Sequence, residues 1–183
     1  TSGRLFPATL LNRRSRTGNG RVALKRQLDN GIQTIRCWAR LRGLTHGKSG
    51  NVSLRRDEST FFISPMGIAY EALTPADVPV MDFSGRWFGS KRPSSEWRFH
   101  LDILKHRPEA GAVVHTHSTY ATALACVGQG IPAFHYMVAI AGGADIRCAP
   151  YATFGTQETA DNAVKALKDR SACLLANHGM IVV

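Results

Sequence analysis

Residues 93–117 read PSSEWRFHLDILKHRPEAGAVVHTH and place a helix directly before a strand. The apolar residues of the first half recur at helical spacing, which predicts a helix from about Ser94 to His106 that ends before Pro108. The apolar run of the second half predicts a strand over Ala112–His117. A helix that leads straight into an apolar strand indicates an α/β protein, in which helices cover a sheet.

Strands and helices alternate along the rest of the chain. Apolar runs between turn residues predict strands at Asn51–Leu54, Thr60–Ile63, Val78–Phe83, Trp87–Phe88, Cys173–Ala176 and Met180–Val183. Helical periodicity predicts helices at Val22–Leu44, Thr119–Val127 and Thr156–Lys168. Hairpins among the strands, together with interleaved helices, favour a layered α/β fold with a mixed sheet.

The length and composition exclude several classes of protein. A chain of 183 residues with 44% hydrophobic and 20% charged residues is typical of one folded domain, and neither a disordered nor a fibrous protein has this composition. The longest uncharged apolar-rich run, residues 131–143, is interrupted by polar and glycine residues. It is shorter than the about 20 residues of a membrane span, so we expect no membrane partner.

The net charge of +10 is concentrated near the start of the chain. Residues 1–21 contain five arginines, no acidic residue and no apolar periodicity, which predicts a basic, disordered tail; a transit peptide and a nucleic-acid arm are the alternatives. Residues 22–183 are predicted to form one domain. Because half of the excess charge lies in the tail and the chain has no nucleic-acid-binding motif, we expect no nucleic-acid partner.

The cysteines indicate a reducing compartment. The chain has four of them, far apart and without a C-x-x-C pair: Cys37, Cys126, Cys148 and Cys173. Because no secretory signal is recognisable, we expect reduced thiols and a cytoplasmic location.

Three histidines are candidate metal ligands. His115 and His117 are two apart in a predicted strand, so both imidazoles should project from one face of the sheet. His178 lies in a predicted turn between two apolar strands, beside Gly179, which permits a close approach. Three histidines leave one coordination position of a tetrahedral metal such as zinc open, as in catalytic sites. Polar-core or loop histidines are the structural alternative.

The start of the helix near Ser94 is a candidate anion site. Ser94 and Ser95 bring two hydroxyls to a helix N-terminus, which suits a phosphate, and Glu96 could move a proton beside a metal. The loop Ser49–Ser53 adds amides and the Asn51 side chain. A purely structural interpretation gives Ser94 the role of an N-cap and places Glu96 in the first helical turn.

Several segments together resemble the class II aldolase/adducin family, and within it the L-fuculose-phosphate aldolase group. They are residues 50–53 (GNVS), 64–68 (SPMGI), 93–100 (PSSEWRFH), 112–117 (AVVHTH), 131–137 (IPAFHYM), 141–143 (AGG), 148–156 (CAPYATFGT) and 174–181 (LLANHGMI). The resemblance covers about residues 22–183 and leaves out the basic tail. It implies a three-layer α/β/α fold around a mixed, largely antiparallel sheet.

The resemblance also implies an activity: a zinc-dependent aldehyde-lyase that cleaves a ketose 1-phosphate, of the L-fuculose 1-phosphate type, into dihydroxyacetone phosphate and an aldehyde such as L-lactaldehyde. Matching positions imply that His115, His117 and His178 hold one Zn²⁺ per subunit and that Glu96 transfers the proton. They also imply that Tyr136 acts from a neighbouring subunit of a homotetramer. The phosphate would be held by Asn51, Gly67, Ser94 and Ser95.

The sequence departs from the family pattern at three places. Met66 stands where the aldolases usually have threonine, Asn177 replaces a frequent histidine, and the sequence stops at Val183, before the C-terminal helices expected of the family. Other functions of the same fold stay open, namely a methylthioribulose-phosphate dehydratase, an oxo-tetronate-phosphate decarboxylase or a non-catalytic adducin-like interaction module. Glu96 argues against the epimerases of the fold, which have aspartate at that position.

Overall fold

A computed structural model describes residues 49–183, apart from the side chain of Glu71. Its eight strands are β1 (Asn51–Arg55), β2 (Thr60–Ile63), β3 (Val80–Asp82), β4 (Trp87–Phe88), β5 (Ala112–Thr116), β6 (Arg147–Ala149), β7 (Ala172–Leu175) and β8 (Gly179–Val182). They form one sheet in the order β4-β3-β2-β1-β5-β8-β7-β6. Only the pair β6 and β7 is parallel, which confirms the predicted mixed, largely antiparallel sheet.

Helices lie on both faces of this sheet. The α-helices are α1 (Trp97–His106), α2 (Thr119–Cys126) and α3 (Gln157–Ala166), and short 3₁₀ helices span Tyr70–Ala72, Pro75–Asp77 and Tyr136–Ala141. One core contains buried residues of α1 and α3, and another contains buried residues of α2 and the 3₁₀ helix at 136–141. The described part of the chain therefore has the predicted three-layer α/β/α arrangement.

Alternation along β1 and β2 assigns residues to the two faces. Phe61 and Ile63 join the core beneath α1, whereas the intervening Phe62 joins a separate core on the opposite face. Ser53 is paired with Ile63 across the two strands and so shares its face, because directly opposed residues project to the same side. This face of β1 places polar side chains beneath α1.

The predicted strands and helices are found with small shifts in their bounds. Strand β3 begins two residues later than predicted, because Pro75–Asp77 forms a 3₁₀ turn closed by reciprocal hydrogen bonds between Thr74 and Asp77. Strand β6 was not predicted at all. It has three residues and is followed by Pro150, and its partner β7 is distant in sequence, so no local pattern marks it.

Three predictions concern residues outside the described part of the chain: the basic tail 1–21, the helix Val22–Leu44 and the thiol of Cys37. Within residues 49–183, no helix is both long enough and apolar enough to cross a membrane.

Candidate metal centre and active site

The candidate site lies at one end of the sheet, where β1 and β8 start and β5 stops. Asn51 begins β1 and is paired with His115 near the end of β5. His115 is in turn paired with Ile181 of β8, and His178 immediately precedes that strand. Because these neighbouring strands are antiparallel, the start of one strand lies beside the end of the next. The polar residues therefore gather at the ends of three central strands.

The three predicted histidines come together there. The Nε2 atoms of His115 and His117 are 2.9 Å apart, and the ring of His178 lies 4.8 Å from that of His115 and 5.1 Å from that of His117, measured between centroids. Potential ligand atoms of the three side chains lie within 4.8 Å of one another. His115 Nδ1 is 3.0 Å from the Met180 carbonyl oxygen and donates to it, which leaves the Nε2 lone pair facing the other rings.

The predicted role of Gly179 is confirmed by the space around it. A Cβ atom on Gly179 would lie 2.5 Å from the Thr116 carbonyl oxygen, 2.9 Å from His117 Cδ2 and 3.2 Å from His115 Cε1. Only glycine therefore lets β8 approach the end of β5 closely enough to bring His178 beside the other two rings.

Glu96 completes the cluster from the start of α1. Its carboxylate oxygens lie 3.0 Å from His178 Nε2 and 3.4 Å from His115 Nε2, and Asn51 Nδ2 donates to it at 2.8 Å. The helix begins at Trp97 and not at Ser94, which corrects the predicted cap. Glu96 is the N-cap residue, but its side chain forms no capping hydrogen bond and points to the histidines instead.

Burial and neighbouring groups set the charges. Burial by itself raises the pKa of Glu96, but the hydrogen bond with His178 and the charge interactions with His115 and His178 outweigh it and lower the pKa to about 2. Burial lowers the pKa of His115 to about 3 and also lowers the pKa of His117. The site therefore presents an ionised carboxylate beside the rings of His115 and His117, which stay neutral at pH 7.

These residues fit a divalent metal ion. Metal ligation needs an imidazole nitrogen that carries no proton. The lowered pKa values of His115 and His117 keep both rings neutral, so each ring has one such nitrogen. Imidazole nitrogen suits zinc, and a nearby carboxylate balances the charge of a dication. The donor set and its charges are therefore those of a metal centre.

The predicted phosphate-binding residues line a cleft beside the histidines. The cleft has a volume of about 390 Å³, and its lining includes Asn51, Gly67, Ser94, Ser95, Glu96, His117 and His178. Gly67 has a positive φ of 78°, a conformation that suits glycine. Among the described residues, the lining contains neither lysine nor arginine, so an anion there would meet backbone amides, hydroxyls and the N-terminal end of α1.

Tyr136 is the one predicted site residue that lies elsewhere. It begins the 3₁₀ helix at 136–141, its side chain is 78% exposed, and it lines a second, shallower pocket instead of the cleft. A role for Tyr136 from a neighbouring subunit stays a prediction.

Sequence analysis gave no role to His100, which is fully buried and connected to the site. His100 Nε2 lies 2.5 Å from Asn51 Oδ1, and burial lowers the pKa of its ring to about 3. Its position four residues after Glu96 could have predicted this connection, because residues four apart lie on the same face of a helix. The aromatic rings of Tyr151 and Phe154, which also line the cleft, carried no comparable signal.

Comparison with known proteins finds similar chains among curated aldolases. Over 139 residues the chain is 55% identical to a 5-methylthioribulose-1-phosphate/5-deoxyribulose-1-phosphate aldolase of Rhodospirillum rubrum, covering 76% of this chain and 62% of that protein. It is 49% identical over 139 residues to the L-fuculose phosphate aldolase of Escherichia coli strain K12, covering 76% of this chain and 64% of that protein. The chain thus spans less than two thirds of the length of these curated relatives.

A solved structure and a family model give the same result. The structure of an L-fuculose 1-phosphate aldolase superposes with a TM-score of 0.79 at 42% identity and covers 84% of this chain and 74% of its own. Residues 32–183 match the model of the class II aldolase and adducin N-terminal domain. The resemblance predicted from the sequence motifs is confirmed, and the chain belongs to the class II aldolase and adducin N-terminal domain family.

Proposed function

We propose that this protein is a metal-dependent aldehyde-lyase that cleaves a ketose 1-phosphate into dihydroxyacetone phosphate and an aldehyde. The observation that carries the proposal is the convergence of three imidazoles and an ionised carboxylate beside a cleft, which His117, His178 and Glu96 line. Relatives that share 55% and 49% of their aligned residues with this chain are named aldolases. The family alone leaves the substrate open, because those two names differ.

The metal would be a single Zn²⁺ ion held by His115, His117 and His178. When bound, it would supply a Lewis acid that stabilises negative charge on the substrate oxygens. Such a centre makes a Schiff-base lysine unnecessary, and no lysine is among the described residues that line the cleft.

Glu96 would transfer the proton. Its carboxylate is ionised and lies at the wall of the cleft beside His178, and burial restricts its access to water. A positioned carboxylate can accept a substrate hydroxyl proton as the carbon–carbon bond breaks and return a proton to carbon afterwards. Asn51 orients this carboxylate through its amide N–H.

The phosphate would bind at the helix start, through Ser94, Ser95 and the backbone of Gly67. Asn51 would add one contact, since one of its two amide hydrogens is already donated to Glu96. Holding the phosphate away from the reacting carbons uses remote binding energy to position them.

The other end of the substrate would be apolar. Tyr151 and Phe154 line the cleft with exposed rings, and Met66 adds a thioether where a threonine hydroxyl was expected. L-Fuculose and 5-deoxyribulose end in a methyl group, and 5-methylthioribulose ends in a methylthio group. We therefore propose deoxyketose 1-phosphates as the substrate class, with L-fuculose 1-phosphate as the first candidate.

A homotetramer would complete the site with Tyr136 from a neighbouring subunit. Phe134, Tyr136 and Ile140 are all more than half exposed, which suits residues that another copy of the chain covers.

The test is the release of dihydroxyacetone phosphate from three compounds assayed side by side: L-fuculose 1-phosphate, 5-deoxyribulose 1-phosphate and 5-methylthioribulose 1-phosphate. We expect release that a chelator abolishes and that added zinc restores. Loss of water from 5-methylthioribulose 1-phosphate, without release of dihydroxyacetone phosphate, would instead identify a dehydratase.

The variant His115→Ala tests whether zinc binding and activity depend on this side chain. We expect it to lose stoichiometric zinc and at least about 100-fold in activity, since even partners behind the ligands contribute about 10–100-fold. The matched control is His106→Ala, because His106 is exposed on α1 and touches no residue of the site. Full zinc content and activity in His115→Ala would refute the proposal.

A further inference from the structure

A chain of buried hydrogen bonds runs from β1 through α1 to the candidate site. Ser53 Oγ lies 2.8 Å from His100 Nδ1, His100 Nε2 lies 2.5 Å from Asn51 Oδ1, and Asn51 Nδ2 lies 2.8 Å from Glu96 Oε2. Ser53 and His100 are completely buried, and Asn51 is 4% exposed. These three members of the chain are therefore shielded from solvent.

The chemistry of Glu96 fixes the direction of every bond in this chain. An ionised carboxylate only accepts, so Asn51 must turn its amide nitrogen toward Glu96 and its carbonyl oxygen toward His100. His100 must then carry its proton on Nε2 and accept from the Ser53 hydroxyl at Nδ1. Burial keeps the pKa of His100 at about 3, so the ring stays neutral and this single tautomer serves both partners.

We propose that His100 is a positioning residue that, through Asn51, holds the Glu96 carboxylate in its orientation toward His115 and His178. The proposal rests on the function given above, in which Glu96 transfers the proton. Glu96 needs such a support because its side chain makes no capping bond to its own helix. Without the His100 N–H, the side-chain amide of Asn51 can rotate by about 180° and bring its carbonyl oxygen next to the Glu96 carboxylate. The two acceptor oxygens would then repel each other.

Two substitutions of His100 form a matched pair, because each keeps one hydrogen bond and loses the other. In His100→Gln the longer side chain carries an N–H close to the position of Nε2 and can still donate to Asn51. In His100→Asn the shorter side chain reaches the position of Nδ1 and can still pair with Ser53. Thermal unfolding midpoints of the two variants should therefore fall alike, and both should keep stoichiometric zinc.

The first readout is exchange of a carbon-bound hydrogen of dihydroxyacetone phosphate with deuterium from D₂O, followed by NMR on the zinc-loaded protein. This reaction needs the proton transfer alone and does not depend on which aldehyde is the partner. We expect kcat of His100→Gln to stay within roughly threefold of wild type and kcat of His100→Asn to fall by about 10–100-fold. Equal losses in the two variants would show a structural role only and overturn the proposal.

The second readout does not use activity. In the ¹⁵N–¹H spectrum of the zinc-loaded protein, His100 should show a solvent-protected proton on Nε2 and none on Nδ1. A proton on Nδ1 would overturn the proposal. If the wild-type protein binds zinc but exchanges no hydrogen of dihydroxyacetone phosphate, the proposed function fails, and the His100 tautomer then decides the positioning role alone.

Discussion

The two fully buried histidines, His100 and His115, show how position sets the charge of a side chain. Both rings lie beneath α1 and are held neutral because burial disfavours their charged form and lowers each pKa to about 3. Each ring also has both nitrogens next to polar atoms. Neutral, oriented imidazoles are what the metal centre and the support of Glu96 both require.

These shifts predict a loss of stability in mild acid for the zinc-free protein. An unfolded histidine titrates near 6.5, whereas folded His100 and His115 stay unprotonated down to about pH 3. Below pH 6.5 the unfolded state therefore binds more protons than the folded state, and the free energy of unfolding falls as the pH falls. Urea unfolding in the presence of a chelator measures how steeply the free energy of unfolding changes with pH. The range from pH 8 to pH 5 lies above the range in which carboxylates titrate.

The variant His100→Gln tests which residue causes the slope. We expect it to reduce the proton uptake on unfolding at pH 5 by about one proton. His106→Gln, an exposed substitution on the same helix, is measured alongside as the control for replacing a histidine with glutamine. A slope that is identical in wild type and His100→Gln would contradict the assignment of a neutral, buried ring.

At the scale of elements, the turn between β7 and β8 positions His178. Asn177 adopts a positive φ of 55°, and its backbone N–H donates to the Ala125 carbonyl oxygen at 2.9 Å. Asn177 departs from the family pattern, and its left-handed conformation gives a local reason for asparagine there, since asparagine tolerates this region better than most residues.

A matched pair of substitutions at Asn177 tests the importance of this turn. Asn177→Gly should keep the conformation and the zinc affinity close to wild type. Asn177→Val should cost about 1–2 kcal/mol because a β-branched residue is strained at positive φ, and zinc affinity should weaken as the turn relaxes. Zinc titration and urea unfolding measure the two effects, and equal behaviour of both variants would refute the explanation.

The other end of β1 is joined to the end of α1 by Arg55. Its guanidinium donates to three carbonyl oxygens, those of Leu104 at 2.5 Å, Ala110 at 2.9 Å and Arg107 at 3.1 Å. The last carbonyls of a helix have no partners within the helix, so this side chain supplies a donor to the Leu104 carbonyl oxygen at the end of α1. The Arg107 carbonyl oxygen also accepts from the Ala110 N–H.

We therefore expect Arg55→Met to lower the free energy of unfolding by about 2–3 kcal/mol, since it leaves partly buried carbonyl oxygens unsatisfied. The control is Arg86→Met, whose side chain is 71% exposed and pairs with Asp82 at the surface. That pair should contribute less than about 1 kcal/mol. Chemical denaturation of both variants gives the comparison, and similar small losses would show that Arg55 does not stabilise the helix end.

At the scale of the whole molecule, the exposed apolar segment at 134–140 predicts self-association. Phe134 is 74% exposed, Tyr136 78% and Ile140 67%. Phe134 lies in the loop before the 3₁₀ helix at 136–141, and the other two residues lie in that helix. We expect light scattering to give a mass of several chains, and Ile140→Glu to shift it toward the monomer and reduce cleavage, because Tyr136 would no longer reach a neighbouring site.

Lys105→Glu is the control for the introduced charge, since Lys105 is exposed on α1, away from this segment. A monomeric wild-type protein with full activity would contradict both the assembly and the role of Tyr136. A dissociated Ile140→Glu variant with full activity would contradict the role of Tyr136 alone.

The order of strands and helices and the principal candidate residues followed from the sequence by itself. Period-two and helical patterns record which face of an element is buried, so β2 and β5 could be predicted almost to the residue. The pattern His-x-His placed two imidazoles on one face. His178, in a turn beside Gly179, and Glu96, at a helix start, were candidates from their local sequence, and the family resemblance that the comparisons confirm joined them to the pair. The cytoplasmic location and the boundary at residue 22 stay predictions.

Tertiary structure alone decided which polar groups meet. The bonds from His100 to Asn51 and from Asn51 to Glu96 join residues 49 and 45 positions apart, and the bond that orients His115 spans 65 positions. Local periodicity carries no information about such pairs, because they depend on strand register and on the closeness that Gly179 permits. The sequence therefore named the candidate ligands. Strand register supplied the Met180 carbonyl that orients His115, and the packing of α1 on the sheet supplied the bonds that support Glu96.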